Sequence, residues 1–294
     1  MFGYTNTLSY LCRRKTKTLL FYMEKFVYTR ELKKLGVAYL GNHSQSMKMR
    51  LSEANGTITY CLYLAPWSLS GHNVCPAGHH CHKFCLNGSG HNKSDILARG
   101  VELSNINKSR IKKTRLFYED RPTFMRLMLH EIRRTMDYAK RNNFEFSVRL
   151  NGTSDLSPEL FIDPDTGKNV LELFPDVQFY DYTKVATRFN LVKKYPNYYL
   201  VFSYDGHNED KCKLALANGI NVAVVFANQE MLPFKFMGYP VCDGNTYDMR
   251  YYDPKGHVVG LHYHTTAANY KNGKYIEPDD DFVIKDNNTN VEWY

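Results

Sequence analysis

Between His72 and His91 the chain reads HNVCPAGHHCHKFCLNGSGH. Three cysteines (Cys75, Cys81 and Cys85) and five histidines (His72, His79, His80, His82 and His91) crowd these 20 residues, out of 7 Cys and 11 His in all 294. Thiolate and imidazole are ligands for zinc, and thiolates hold iron–sulfur clusters. Without a metal the same stretch is an exposed loop with reduced thiols. The density of ligands favours a metal site. A structural zinc site uses paired C-x-x-C or H-x-x-x-H spacing. Here the spacing is C-x5-C-x3-C, with no second pair. A fourth ligand would come from one of the loop histidines or from the distant Cys242. Three thiolates alone would leave one iron of a cluster open. Cys61 and Cys212 read as buried thiols, and His262 and His264 as core or surface histidines rather than ligands.

A second set of chemistry-bearing residues recurs where apolar runs end. Arg149, Asn151 and Asp155 follow FEFSV; Asp181, Tyr182 and Lys184 end VQFYDYTK; Asp243, Asp248 and Arg250 lie in VCDGNTYDMRYYDPKG. Helix capping accounts for some of these, Ser154, Asp155 and Asp205 among them. It does not account for Arg149 or Lys184, cations where buried strands emerge, which suit an anionic substrate or cofactor group. Arg149, Asp181 and Lys184 are the catalytic candidates. Asn151, Asp155, Tyr182, Asp243, Asp248 and Arg250 are the candidates for binding substrate or cofactor.

The elements that must hold these residues alternate. Strand-like runs occupy 57–65, 144–152, 177–184, 197–206, 220–228, 238–244 and 257–264. Helical patterns lie between them: 94–110 with Ser94 as N-cap, 121–143 with Pro122 in its first turn, VATRFNLVKKYP, and NEDKCKLALANG ending at Gly219. This rhythm predicts an α/β fold, a complete or partial β/α barrel with mainly parallel strands and the cysteine-rich loop after the first strand. In a barrel, chemistry gathers where the strands end, so loop and polar strand ends should share one rim.

Hydrophobic residues make up 43% and charged residues 23% of the chain, the balance of a globular protein. The formal charge of +8 is unevenly placed: residues 1–50 hold ten Lys/Arg against Glu24 and Glu31, and the rest of the chain is neutral. The expected organisation is a basic N-terminal arm (1–50), a β/α main domain (51–270) and a polar, peripheral C-terminal tail (271–294). Met23 offers a second start, which would make 1–22 dispensable. No apolar run is long enough for a signal peptide or a membrane span, and a cytoplasmic site with reduced thiols is expected.

The strings YLAPWSLSGHNVCPAGHHCHKFCL, VRLNGTSDLS, QFYDYTK, PNYYLVFS, NVAVVFA and CDGNTYDMRYYDPKGHVVGL resemble the gene product 88 family of phage proteins over about residues 60–261. That resemblance implies a phage or prophage origin and the host bacterial cytoplasm; it supplies no activity. Three cysteines in one loop at a barrel mouth, with Phe84 before Cys85, also resemble the cluster loop of radical SAM enzymes. This implies a [4Fe–4S] cluster with S-adenosylmethionine at the open iron. The chain departs from that pattern in its cysteine spacing, where C-x3-C-x2-C is usual, and it contains no Gly-Gly.

Two functions of different class follow. One is an iron–sulfur enzyme, radical or redox in its chemistry, acting on a nucleotide, a nucleic acid or a host component. The other is a nucleic-acid-binding accessory protein in which zinc fixes the loop, while the basic arm and NKSRIKKTR (107–115) touch phosphates weakly and without sequence preference. A metal-free binding module is the third reading.

Overall fold

The computed structural model describes residues 26–43, 46–78, 80–81, 84–88, 103–265, 269–271, 274–275 and 281–293. It is a mixed α/β structure around an 11-stranded, mostly parallel sheet. In chain order the elements are α1 (Tyr28–Leu35), β1 (Gly41–Asn42), α2 (Met47–Ala54), β2 (Thr57–Leu62), α3 (Trp67–Ser70), α4 (Asn105–Glu119), α5 (Arg121–Arg141), β3 (Glu145–Arg149), α6 (Val170–Leu173) and β4 (Gln178–Thr183). There follow α7 (Phe189–Lys194), β5 (Tyr198–Ser203), α8 (Glu209–Ala217), β6 (Asn221–Phe226), β7 (Lys235–Phe236), β8 (Tyr239–Asp243), β9 (Val258–His262), β10 (Tyr270–Lys271), β11 (Lys274–Tyr275), β12 (Val283–Ile284) and β13 (Val291–Glu292).

Strands β2, β3, β4, β5, β6, β9 and β8 pair in that order, all parallel. Each lies inside one of the seven runs read as strands. β2 is buried along its whole length, as expected of a parallel strand covered on both faces. Helix α5 starts where its chemistry says it should: the Asp120 side chain accepts from Thr123 N, Pro122 sits in the first turn, and Phe124, Leu127, Met128 and Ile132 form its buried face. α8 closes at Gly219, whose φ of 72° is open to glycine.

Among the described residues the sheet does not close into a barrel. β1 pairs antiparallel with β2 at one edge. At the other edge β7 pairs antiparallel with β8, and β13 with β7. The sheet nevertheless curls. Laid flat, β2 and β8 would stand roughly 29 Å apart at the usual strand spacing. Yet Lys48 Nζ, on the helix packed against β2, donates to the carbonyl of Gly244 just past β8 at 2.7 Å.

Two expected boundaries shift. From Phe26 onward the basic arm belongs to the body: Leu32, Leu40 and Met49 are buried, and β1 extends the sheet. The polar tail also joins the body, because β12 pairs in parallel with β6 and buries Val283 and Ile284. Of the helix expected over 94–110, the last residues lie in α4 (Asn105–Glu119), capped by Ser104; residues 94–102, Ser94 among them, lie outside the described residues.

Candidate active site

The side chains of the parallel strands alternate between two faces. Val148, Phe179 and Leu200 face the helices in the main apolar core. Arg149, Tyr180 and Tyr182 take the opposite, concave face, where residues 244–253 fold back from β8. Arg149 Nη1 meets both oxygens of Asp248 at 3.0 and 3.1 Å, and Tyr180 Oη donates to Asp248 at 2.7 Å. The Arg149 guanidinium lies 4.7 Å from the Tyr182 ring centroid. Farther along, Arg250 pairs with Asp253 at 3.3 Å, and Tyr247 donates to Asp253 at 2.8 Å. The concave face thus holds a buried network of alternating charge, with Lys48 at its edge. Burial lowers the Lys48 amine to a pKa of about 8; Arg250 and Arg149 also lower it, and Asp248 opposes them.

The cysteine loop leaves β2 at the strand's C-terminal end. Contacts from several elements pin it. Asp155 N, beyond β3, donates to Val74 O at 2.7 Å. Tyr118 Oη of α4 donates to Asn73 O at 2.6 Å. Phe84 stacks on Phe282 at 5.1 Å and meets Tyr263 edge-on. Burial pushes the Cys75 thiol up to about 12, helped by Cys85, Asp155 and Cys81. Burial also raises Cys85, with Cys81 adding to it. The three thiols therefore lie within electrostatic reach of one another. Lys184 eases the titration of both Cys75 and Cys85, and Arg110 that of Cys85.

The structure sorts the sequence-derived residues. It gathers Cys75, Cys81, Cys85, Asp155 and Lys184 at one end of the sheet, and Arg149, Tyr182, Asp248 and Arg250 on the concave face beside it. Asp155 is engaged by Arg188 and by the backbone N–H of Lys184, so it ties the β3 and β4 loops behind the thiols. Asn151 organises its own loop: its side chain accepts from Ser154 and Leu156 N and donates to Leu156 O. Asp243 caps the turn it begins, accepting from Thr246 and Asn245. Asp181 alternates onto the helix-facing side, where it accepts from Asn151 N at 2.9 Å. Burial pushes its carboxyl up to about 7, against the pull of that N–H and of Arg149. Cys242 joins the neighbourhood of Asp253 and Arg250 rather than that of the three loop thiols.

Of the loop histidines, His72 stacks on Tyr118 at 4.4 Å, and the His80 ring lies 4.2 Å from that of His207. His79, His82 and His91 lie outside the described residues. Among the described residues no three His, Cys, Asp or Glu side chains are arranged as a metal-binding group. The sequence reading passed over Lys48 and Phe282, and no spacing in the chain links them to the site. Arg110 and Lys113, read as phosphate contacts, are turned inward instead. Arg110 donates to Asn87 and covers the Tyr63 ring, and the Lys113 ammonium lies 4.8 Å from the Tyr39 ring.

The family model described as gene product 88 matches residues 24–276. The chain belongs to the gene product 88 family. No curated protein and no solved structure matches it. Both the cysteine loop and the concave network of this gene product 88 protein fall inside the matched span. No helix among the described residues is long and apolar enough to cross a membrane.

Proposed function

We propose that this end of the sheet is the active site of an iron–sulfur enzyme, with Cys75, Cys81 and Cys85 as the cluster ligands. What supports this reading most is the density of Cys75, Cys81 and Cys85 in one short loop, beside Lys184; their side chains are not arranged as a metal-binding group in the structure, so a cluster would have to draw them together. Burial pushes the Cys75 thiol up to about 12 and raises Cys85, so neither is a ready nucleophile at neutral pH. A metal would displace the proton of each thiol it binds. Lys184 offsets the negative charge that three thiolates would bring. A bound cluster would supply one-electron chemistry. The protein's own part is to place a substrate on the concave face and keep water from it. Zinc is the runner-up metal. The inward turn of Arg110 and Lys113 weighs against a nucleic-acid-binding module built on 107–115.

Protein purified without oxygen and reconstituted is expected to be brown, with iron and sulfide in comparable amounts. Replacing Cys75, Cys81 or Cys85 by Ala should abolish the colour, while Cys61→Ala and Cys212→Ala should keep it. Colourless protein with one zinc would replace the cluster by a zinc-fixed loop. Colourless, metal-free protein that remains folded would remove both metals from consideration.

A further inference from the structure

Positive charge is gathered in one layer of this protein. The stretches 26–43 and 103–141, which carry α1, α4 and α5, hold 14 Lys/Arg against 5 Asp/Glu. The other 237 residues hold 24 against 25. The three helices form one surface: α1 and α4 each pack on α5, and Lys112 of α4 donates to the Gly36 carbonyl at the end of α1. Some of the cations are already engaged, since Arg110 and Lys113 turn inward and Arg126 pairs with Asp165. Lys33, Lys34, Arg115, Arg134, Lys140 and Arg141 are exposed. Among the described residues no acid pairs with Arg134, Lys140 or Arg141.

A groove of about 370 Å³ opens in this surface, between α5 and the segment 38–43 that leads through edge strand β1. Clefts that take ligands run from about 300 to 1,000 Å³. Three tyrosines line the groove, Tyr28, Tyr39 and Tyr138, and the last two are exposed. His43 stacks on Tyr138 with ring centroids 5.6 Å apart. Arg134 and Arg141 line it from α5, and Asp137 and the buried Glu131 stand against them. The groove itself is therefore aromatic and close to neutral, and the excess positive charge lies on the helices around it.

These two properties suit different parts of one ligand. Cations spread over three helices, well beyond the groove, suit a chain of phosphates. A near-neutral groove of tyrosines suits a flat ring that stacks. A single nucleic-acid strand carries both, because its bases are free to turn aside from its backbone. A duplex keeps its bases paired inside, and an acidic peptide brings charge without rings.

We propose that the α1–α4–α5 face binds single-stranded nucleic acid without regard to sequence, with the backbone along the exposed cations and one base in the groove against Tyr138. The surface is wider than segment 107–115 and does not depend on the inward-turned Arg110 and Lys113. It also lies away from the thiols. Arg141 stands just before the start of β3, whereas the cysteine loop leaves the opposite end of the parallel neighbour β2. Binding of the strand therefore needs no metal.

The test is fluorescence anisotropy of a short labelled oligothymidine titrated with the full chain, before and after iron and sulfide reconstitution. Affinity is expected to fall steeply as sodium chloride rises. Replacing Arg134 and Arg141 together by Gln should weaken binding and flatten the slope of log affinity against log salt by about 1.4, since each phosphate contact on a single strand contributes about 0.7. Tyr138→Leu should weaken binding about tenfold, the loss of one stacked base, and leave the salt slope and heparin binding unchanged. Tyr39→Leu gives the same readout if Tyr138→Leu does not fold. A duplex of the same length should compete poorly, and thymidine monophosphate hardly at all. No binding at low salt, a duplex that competes as well as the single strand, displacement by the monophosphate alone, or unchanged affinity in both tyrosine variants overturns the proposal. Because binding is expected with and without iron, its failure is distinct from failure of the cluster, which is read from metal content and colour.

Discussion

Asp181 illustrates how a single residue can mislead. A strand-end carboxyl with a pKa near 7 has the profile of a general acid or base. The structure places it between β3 and β4 on the helix-facing side, where it holds the backbone N–H of Asn151. Its shift is then a statement about stability. Its folded pKa of about 7 stands above the ordinary value of 3.8. Between these values the folded chain holds a proton that the unfolded chain has lost, so stability falls as pH rises through that window. The size is a few kcal/mol at most, since one unit corresponds to about 1.4 kcal/mol. Asp181→Asn keeps an oxygen for Asn151 and removes the charge. Its stability relative to the native chain, from urea unfolding at pH 4.5, 6 and 7.5, is expected to improve steadily with pH. A flat difference across that range would mean that Asp181 stays ionised in the fold.

At the scale of elements, the site depends on segments that are distant in sequence and pressed together. Phe84 of the cysteine loop stacks on Phe282, just before β12, and Lys184 at the end of β4 lies 5.8 Å from the same ring. The tail reaches that place by crossing Gly206 after β5. There φ is 90°, and a Cβ would come within 2.8 Å of the Asp281 backbone. Glycine is required twice over, by the dihedral and by the close approach. Gly206→Ala is therefore expected to cost about 1–3 kcal/mol and to loosen the tail. The checks are a lower melting temperature and faster proteolysis near residue 281. An alanine variant that melts and resists protease like the parent would show that the crossing is easily rearranged.

For the whole molecule, the question is where the folded unit begins. The Glu131 carboxylate of α5 accepts from Leu40 N, Gly41 N, Tyr28 Oη and Tyr60 Oη, all at 2.8–2.9 Å. Three of those four donors precede residue 51. A chain starting at Met23 keeps all of them, and the family match begins at residue 24; it is expected to melt within a few degrees of the full chain. A chain starting at residue 51 would leave Glu131 buried without most of its donors and would lose the burial of Leu40 and Met49. Losing one partner of a buried charge alone costs about 3–5 kcal/mol, so that shorter chain is expected to be unfolded or aggregated by circular dichroism. Cooperative melting of the shorter chain would restore the boundary at 50.

Much of this protein was determined by local sequence. Apolar runs marked the parallel strands, because a strand covered on both faces needs side chains that are apolar along its length. Pro122 and Gly219 marked helix ends, because orphan N–H and C=O groups must be met locally. The three cysteines were visible as one cluster because a single loop carries them. Tertiary structure decided the rest. Whether the sheet closes depends on pairing at its two edges, where β1 and β7 take positions that no local pattern specifies. Which polar strand ends face the concave side depends on register, and a shift of one residue reverses it; this separates Arg149 and Tyr182 from Asp181. Lys48 and Phe282 became part of the site only when the curl of the sheet and the return of the tail brought them there. Those contacts join positions far apart in the chain, and nothing in the spacing of a linear sequence encodes them.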